Sequence, residues 1–137
     1  MDNSKILLVD DEQDILDLIR YNLEKEDFTV FTASNGREGI EIAKKELPDL
    51  ILLDVMMPEM DGMEACIEIR TIPELAGVII AFLTARSEDY SQIAGFDAGA
   101  DDYITKPIKP RVLVSRVKAL LRRTSGKEET NTSANSS

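Results

Sequence analysis

Apolar residues fall along the chain in short runs, separated by segments whose apolar positions repeat at helical spacing. Leu50–Leu53 is wholly apolar and lies between Pro48 and Pro58, which predicts a strand buried on both faces. Lys5–Val9 and Val78–Leu83 read the same way, and Tyr103–Thr105 reads as a short last strand. Phe28–Ala33 interleaves Thr29 and Thr32 with apolar residues, which suits a strand nearer the sheet edge. Between these runs the period changes. Ile15, Leu18, Ile19 and Asn22/Leu23 share one helical face; Gly36, Ile40, Ala43 and Leu47 share another, stopped by Pro48. Further helices are predicted from Met63 to Arg70 and, more weakly, from Glu88 to Ala98, with Gly99 as the stop. A last helix opens at Pro110 and puts Leu113, Val117, Leu120 and Leu121 toward the core.

Strand and helix thus alternate five times. The fold class is α/β: a five-stranded, mostly parallel sheet, doubly wound by five helices, flavodoxin-like with strand order 2-1-3-4-5. Residues 1–123 form one domain. From Thr124 on, Ser, Thr, Asn, Glu and Gly dominate and nothing apolar exceeds alanine, so 124–137 is expected to be a disordered, solvated tail or linker.

In such a sheet, ligands sit at the carboxyl ends of the strands, where the strand order reverses. The first strand ends on Asp10-Asp11, the third on Asp54, the fourth on Thr84 and the fifth on Lys106. Carboxylates gathered at one point raise each other's pKa, and a hard divalent cation relieves them. Magnesium suits a few carboxylates, a backbone carbonyl such as that of Met56, and phosphate oxygens. Lys106 adds a compact positive charge beside Asp54, and Thr84 a hydroxyl. No nucleophilic Ser or Cys with a partner base is evident; what remains is a carboxylate nucleophile, Asp54, able to accept a phosphoryl group.

Composition narrows the classes further. The net charge is −10, so nucleic acid is not a partner of this domain's general surface. There is no histidine, hence no His-based metal site or relay within the chain. The single cysteine, Cys66, is expected to be inert core and fits a reducing cytoplasm. No apolar run approaches the ~20 residues of a membrane span, and the N-terminus carries no secretory signal.

Ile6-Leu7-Leu8-Val9-Asp10-Asp11-Glu12, Asp54-Val55-Met56-Met57-Pro58 with Asp61-Gly62, Leu83-Thr84-Ala85 and Gly99-Ala100-Asp101-Asp102-Tyr103-Ile104-Thr105-Lys106-Pro107 together resemble the receiver domain of two-component response regulators. The resemblance covers roughly residues 4–123. It implies Asp54 as phosphoacceptor from a sensor histidine kinase, and magnesium held by Asp10, Asp11, Asp54 and the Met56 carbonyl. It implies Thr84 and Tyr103 as a switch pair, with Lys106 on the phosphate. Gly99–Pro107 and the closing Arg116…Arg123 are similar to the subfamily with a winged-helix DNA-binding output domain (OmpR/PhoB-like), absent from this chain. That subfamily implies a homodimer through the face of the fourth helix, fifth strand and fifth helix. Its usual base–acid pair is here Gln92 and Val112; Asp101, Asp102, Arg116 and Arg123 remain as candidate cross-pairs.

Other readings compete. Asp10 and Asp11 could simply cap the first helix. A magnesium phosphatase with an Asp nucleophile wants a second acid two residues on, where this chain has Met56. A flavin module wants a Ser/Thr/Gly-rich loop where this chain has Asp10-Asp11-Glu12-Gln13. The expectation is a signalling phosphoacceptor, not an enzyme turning over an external metabolite.

Overall fold

The computed structural model describes residues 4–85 and 98–136, with side chains described through Arg123. The predicted helix over 88–98, with Gln92, lies almost wholly outside the described residues; Ala98 is helical. Strands β1 (Lys5–Val9), β2 (Thr29–Ala33), β3 (Leu50–Asp54), β4 (Ile79–Thr84) and β5 (Asp102–Thr105) form one parallel sheet in the order β2-β1-β3-β4-β5. The described helices are α1 (Gln13–Glu24), α2 (Gly36–Glu46), α3 (Gly62–Arg70) and the last helix, α4 (Pro110–Ser136), with a single 3-10 turn at Pro73–Leu75. None of them is long and apolar enough to cross a membrane.

Because side chains alternate across a strand, the central strands feed two cores at once. Leu7, Val9, Ile51, Leu53, Ile80 and Phe82 pack with Ile40 and Ala43 of α2 and Ala65, Cys66 and Ile69 of α3. Ile6, Leu8, Leu50, Leu52, Ala81 and Leu83 pack with Leu16, Ile19 and Leu23 of α1 and Leu113, Val117 and Leu120 of α4. Every residue of β3 is buried, as its unbroken apolar run requires.

Three local expectations change. The face of α1 is centred on Leu16, with Ile15 and Leu18 half-buried at its margins. Leu47 is 49% exposed: it is the C-cap of α2 in the left-handed conformation, φ 49°, which swings it off the core stripe. The backbone of α4 also continues through 124–136, where composition predicts a tail. Extending a helix already nucleated by packing fixes one residue per added hydrogen bond, so polar residues can propagate it.

Candidate functional site

Four strand ends bring their polar residues to one edge. Asp10 follows β1, and its N–H donates to the Ala33 carbonyl of β2 at 3.1 Å. Asp54 ends β3 and Thr84 ends β4; Lys106 follows β5, with its N–H on the Thr84 carbonyl at 2.7 Å. Asp10, Asp54 and Thr84 are all buried, at 0%, 3% and 4% exposure.

Gly62 makes this edge possible. It opens α3, capped by Asp61, whose side chain accepts from the Glu64 N–H at 2.8 Å. Its own N–H donates to the Val55 carbonyl at 2.9 Å. A Cβ at position 62 would collide with the backbone carbonyl of Asp54. Only glycine lets the helix start lie directly on the strand that carries the acid.

The Lys106 ammonium lies among three carboxylates: Asp10 Oδ2 at 3.1 Å, Glu12 Oε2 at 3.2 Å and Asp54 Oδ1 at 3.6 Å. Backbone donors fix two of them. The Glu12 N–H reaches Asp10 Oδ1 at 2.9 Å, and the Met56 N–H reaches Asp54 Oδ1 at 3.2 Å. The side chain of Met56 itself is 75% exposed. Asp10 Oδ2 is buried and, among the described residues, accepts no hydrogen bond of good geometry; the ammonium beside it is an ion-pair partner rather than an aligned donor.

Burial and crowding set the electrostatics. Desolvation, then the negative charge of Asp10, pushes the Asp54 carboxyl up to about 7, against the opposing pull of Lys106. Desolvation also raises Asp10. Burial of Lys106 works against its charge, but the close contact with Asp10 and the charge of Asp54 outweigh it and hold the ammonium above its usual range. The site therefore carries more negative charge than its lysine balances.

Carboxylate oxygens of Asp10, Asp11 and Glu12 lie within 4.8 Å of one another. Within that set Asp10, with its orphaned oxygen, and Asp11, together with Asp54 tied in through Lys106, have the hard-oxygen chemistry of a magnesium site. Glu12 was not among the residues singled out in the sequence; three successive acids after a strand were the available signal. The N-cap of α1 is Glu12, and it makes no side-chain capping hydrogen bond.

Tyr103 is buried on β5, its ring 5.8 Å from that of Phe82. The candidate dimer residues have other partners. Asp102 pairs with Arg116 at 3.0 Å, and Arg116 also donates to the Tyr103 carbonyl at 2.8 Å. Asp101 pairs with Arg70 at 3.0 Å and accepts from the Ile80 N–H at 2.9 Å, so it holds the fold from inside. Val112 is exposed and, with Arg116, lines a cleft of about 330 Å³ between β5 and α4; Arg123 is also exposed. Cys66 is buried, donates its thiol to the Ala98 carbonyl at 3.3 Å and is pushed by burial up to about 11, which agrees with an inert role.

The model of the response regulator receiver domain matches residues 6–118. The chain belongs to that family. It is 48% identical over 121 residues to the alkaline phosphatase synthesis transcriptional regulatory protein PhoP of Bacillus subtilis (strain 168), an alignment covering 88% of this chain and 50% of that protein. The chain thus spans about half the length of this curated relative. Among solved structures it resembles chemotaxis protein CheY4 of Vibrio cholerae, with TM-score 0.84 and 30% identity over 86% of this chain and 98% of that one. It also resembles a BeF3-activated DrrB receiver domain, with TM-score 0.76 and 38% identity over 88% of this chain and 98% of that one. This receiver is a response regulator module of a two-component system.

Proposed function

We propose that this receiver is a phosphoacceptor switch in which Asp54 takes a phosphoryl group from a sensor histidine kinase. One observation carries the reading: Asp54 is a buried carboxylate at the end of the central strand, in a site with three carboxylates around one ammonium. A buried acid that shares one cation with two other carboxylates is costly to keep, and groups perturbed in this way cluster at functional sites.

Asp10, Asp11 and Asp54, with the Met56 carbonyl, would hold magnesium. Bound there, the ion neutralises the carboxylates and the charge that builds up on the transferring phosphoryl group. The chain's own groups do the rest. Asp54 is held by the Met56 N–H with one oxygen toward Lys106. Lys106 supplies the charge that meets the phosphoryl oxygens. Thr84, at the end of the neighbouring strand, is the hydroxyl that follows them. Tyr103 lies one strand further out and is the residue whose packing changes when Thr84 moves. The response is read on the face of β5 and α4, which serves as a phosphorylation-dependent homodimer surface. In a full-length protein resembling PhoP, the output is transcriptional. The module has self-catalysed phosphotransfer and dephosphorylation but no external metabolite as substrate.

The test is intact mass after incubation with a small phosphoryl donor and magnesium. A single phosphoryl adduct is expected, absent from Asp54→Ala and absent with a chelator. An adduct on Asp54→Ala, or none on the parent chain, overturns the reading.

A further inference from the structure

The Lys106 ammonium has partners of very different kinds. Asp10 is fully buried and pinned by a backbone N–H, and Asp54 is 3% exposed and pinned likewise. Glu12 is on the outside, with its side chain 60% exposed, and it pairs with this cation at 3.2 Å. Neither buried acid can follow a moving lysine without leaving its backbone donor. Glu12 can be left behind, because water takes over its carboxylate at once. Glu12 also stands at the N-cap of α1 without capping it, so its side chain is directed to Lys106 rather than to the helix.

We propose that Glu12 is a positioning residue for Lys106: it holds the ammonium in the resting chain and is the partner the ammonium gives up when Asp54 carries a phosphoryl group. This rests on Asp54 being the phosphoacceptor. Glu12 then acts through Lys106. It stabilises the unphosphorylated arrangement, opposes capture of an anionic donor and shortens the life of the phosphorylated form. It is not a metal ligand in this role.

The experiment compares the parent chain with Glu12→Gln and Glu12→Asp, using acetyl phosphate with magnesium and lysine-labelled protein for NMR. Glu12→Gln is expected to lower the half-saturating acetyl phosphate concentration about threefold, with the maximal rate little changed, in keeping with the weakness of exposed pairs. Glu12→Asp keeps the charge but shortens the side chain by one methylene, so it should behave as Glu12→Gln. The Lys106 side-chain signal should differ between parent and both variants without donor or metal, and should converge in all three with beryllium fluoride and magnesium bound.

If Glu12→Asp behaves as the parent chain, long-range charge rather than contact is at work and the proposal fails. It fails also if Glu12→Gln weakens magnesium binding by calorimetry tenfold or more, which would make Glu12 a ligand. A parent chain that gains no adduct removes the phosphoacceptor reading itself. A parent chain that gains one, with variants indistinguishable from it in rate and in the Lys106 signal, removes the role of Glu12 alone.

Discussion

Arg70 and Lys106 flank the same strand, Arg70 at the entry to β5 and Lys106 at its exit, and their surroundings are opposite in kind. All five N–H donors of Arg70 are used. Nε and one terminal nitrogen reach the Gly99 carbonyl at 3.1 and 2.6 Å, and that nitrogen also reaches Asp101 at 3.0 Å. The other terminal nitrogen reaches the Ala76 and Val78 carbonyls at 3.1 and 2.5 Å. One positive charge meets one negative charge, and the remaining partners are neutral carbonyls. Around Lys106 one ammonium meets three carboxylates, and two of those are buried. A balanced, fully bonded cation fixes a structure. An outnumbered cation leaves an unmet demand for positive charge, and that demand is what a metal ion or a rearrangement can satisfy.

The largest effect should come from breaking the balanced region. Arg70→Ala strips carbonyls of Gly99, Ala76 and Val78 and leaves Asp101 without its cation. A loss of about 2–4 kcal/mol is expected by urea unfolding, similar with and without magnesium. A loss that shrank in magnesium would mean that this region is coupled to the carboxylate edge.

The unbalanced region should respond in the reverse direction. Burial pushes the Asp54 carboxyl up to about 7 in the fold, against about 3.9 for an ordinary aspartate. Between those two values the folded chain keeps a proton that the unfolded chain has released. The unfolded state therefore binds fewer protons, and stability falls as pH rises through that window. Asp54→Asn removes this penalty. In metal-free buffer at pH 8 it should stabilise the chain by about 1–3 kcal/mol, and by less than half of that at pH 5, where only the lower part of the window has been crossed. Urea midpoints at the two pH values check this. A variant equally stabilised at both would place the cause outside the ionisation.

The two regions were not equally legible in the sequence. The carboxylate edge was, because a buried strand is an apolar run and a polar residue at its end stands out against it. Asp10, Asp54, Thr84 and Lys106 were found that way, and the alternation of strand and helix then placed them together. The Arg70 clamp was not, because nothing local marks it: Arg70 ends a short helix, and its partners are backbone carbonyls 6 to 29 residues away in sequence. For the same reason the pairing of Asp101 with Arg70 inside the chain was not legible, and the sequence offers Asp101 only as a candidate cross-pair. Glu12 was hidden by its neighbours, since a third acid beside two site acids reads as solvated charge until the lysine from the far end of the chain is seen against it. Leu16 and Leu47 show the limit of helical spacing, which fixes the width of a face better than its centre or its last turn.

Proton release sharpens the comparison next. Metal ligands must be deprotonated to bind, so a cation filling this edge has to expel the proton that Asp54 holds below about 7. Magnesium affinity should climb with pH, approaching about tenfold per pH unit (about 1.4 kcal/mol) below that value and flattening above it. Calorimetry in two buffers of different ionisation enthalpy counts the protons directly. An affinity independent of pH from 6 to 8 would show that Asp54 is ionised before the metal arrives.

The smallest effect belongs to a third cation, which separates charge balance from burial. Arg116 resembles Arg70 in pairing with one acid, Asp102 at 3.0 Å, and one carbonyl, that of Tyr103 at 2.8 Å. It differs in exposure: its side chain is 46% exposed against 20% for Arg70. If balance alone made a cation structural, Asp102→Asn would cost as much as losing the Asp101 pair. Water screens an exposed pair, and both partners of Arg116 here are replaceable by solvent. Asp102→Asn should therefore change stability by less than about 1 kcal/mol, and raising salt should erase most of that difference. A larger, salt-resistant loss would mean that the Asp102–Arg116 pair is shielded on this edge. That would place it with Arg70 among the groups that hold β5 against α4, rather than among those free to re-pair when the face between them changes.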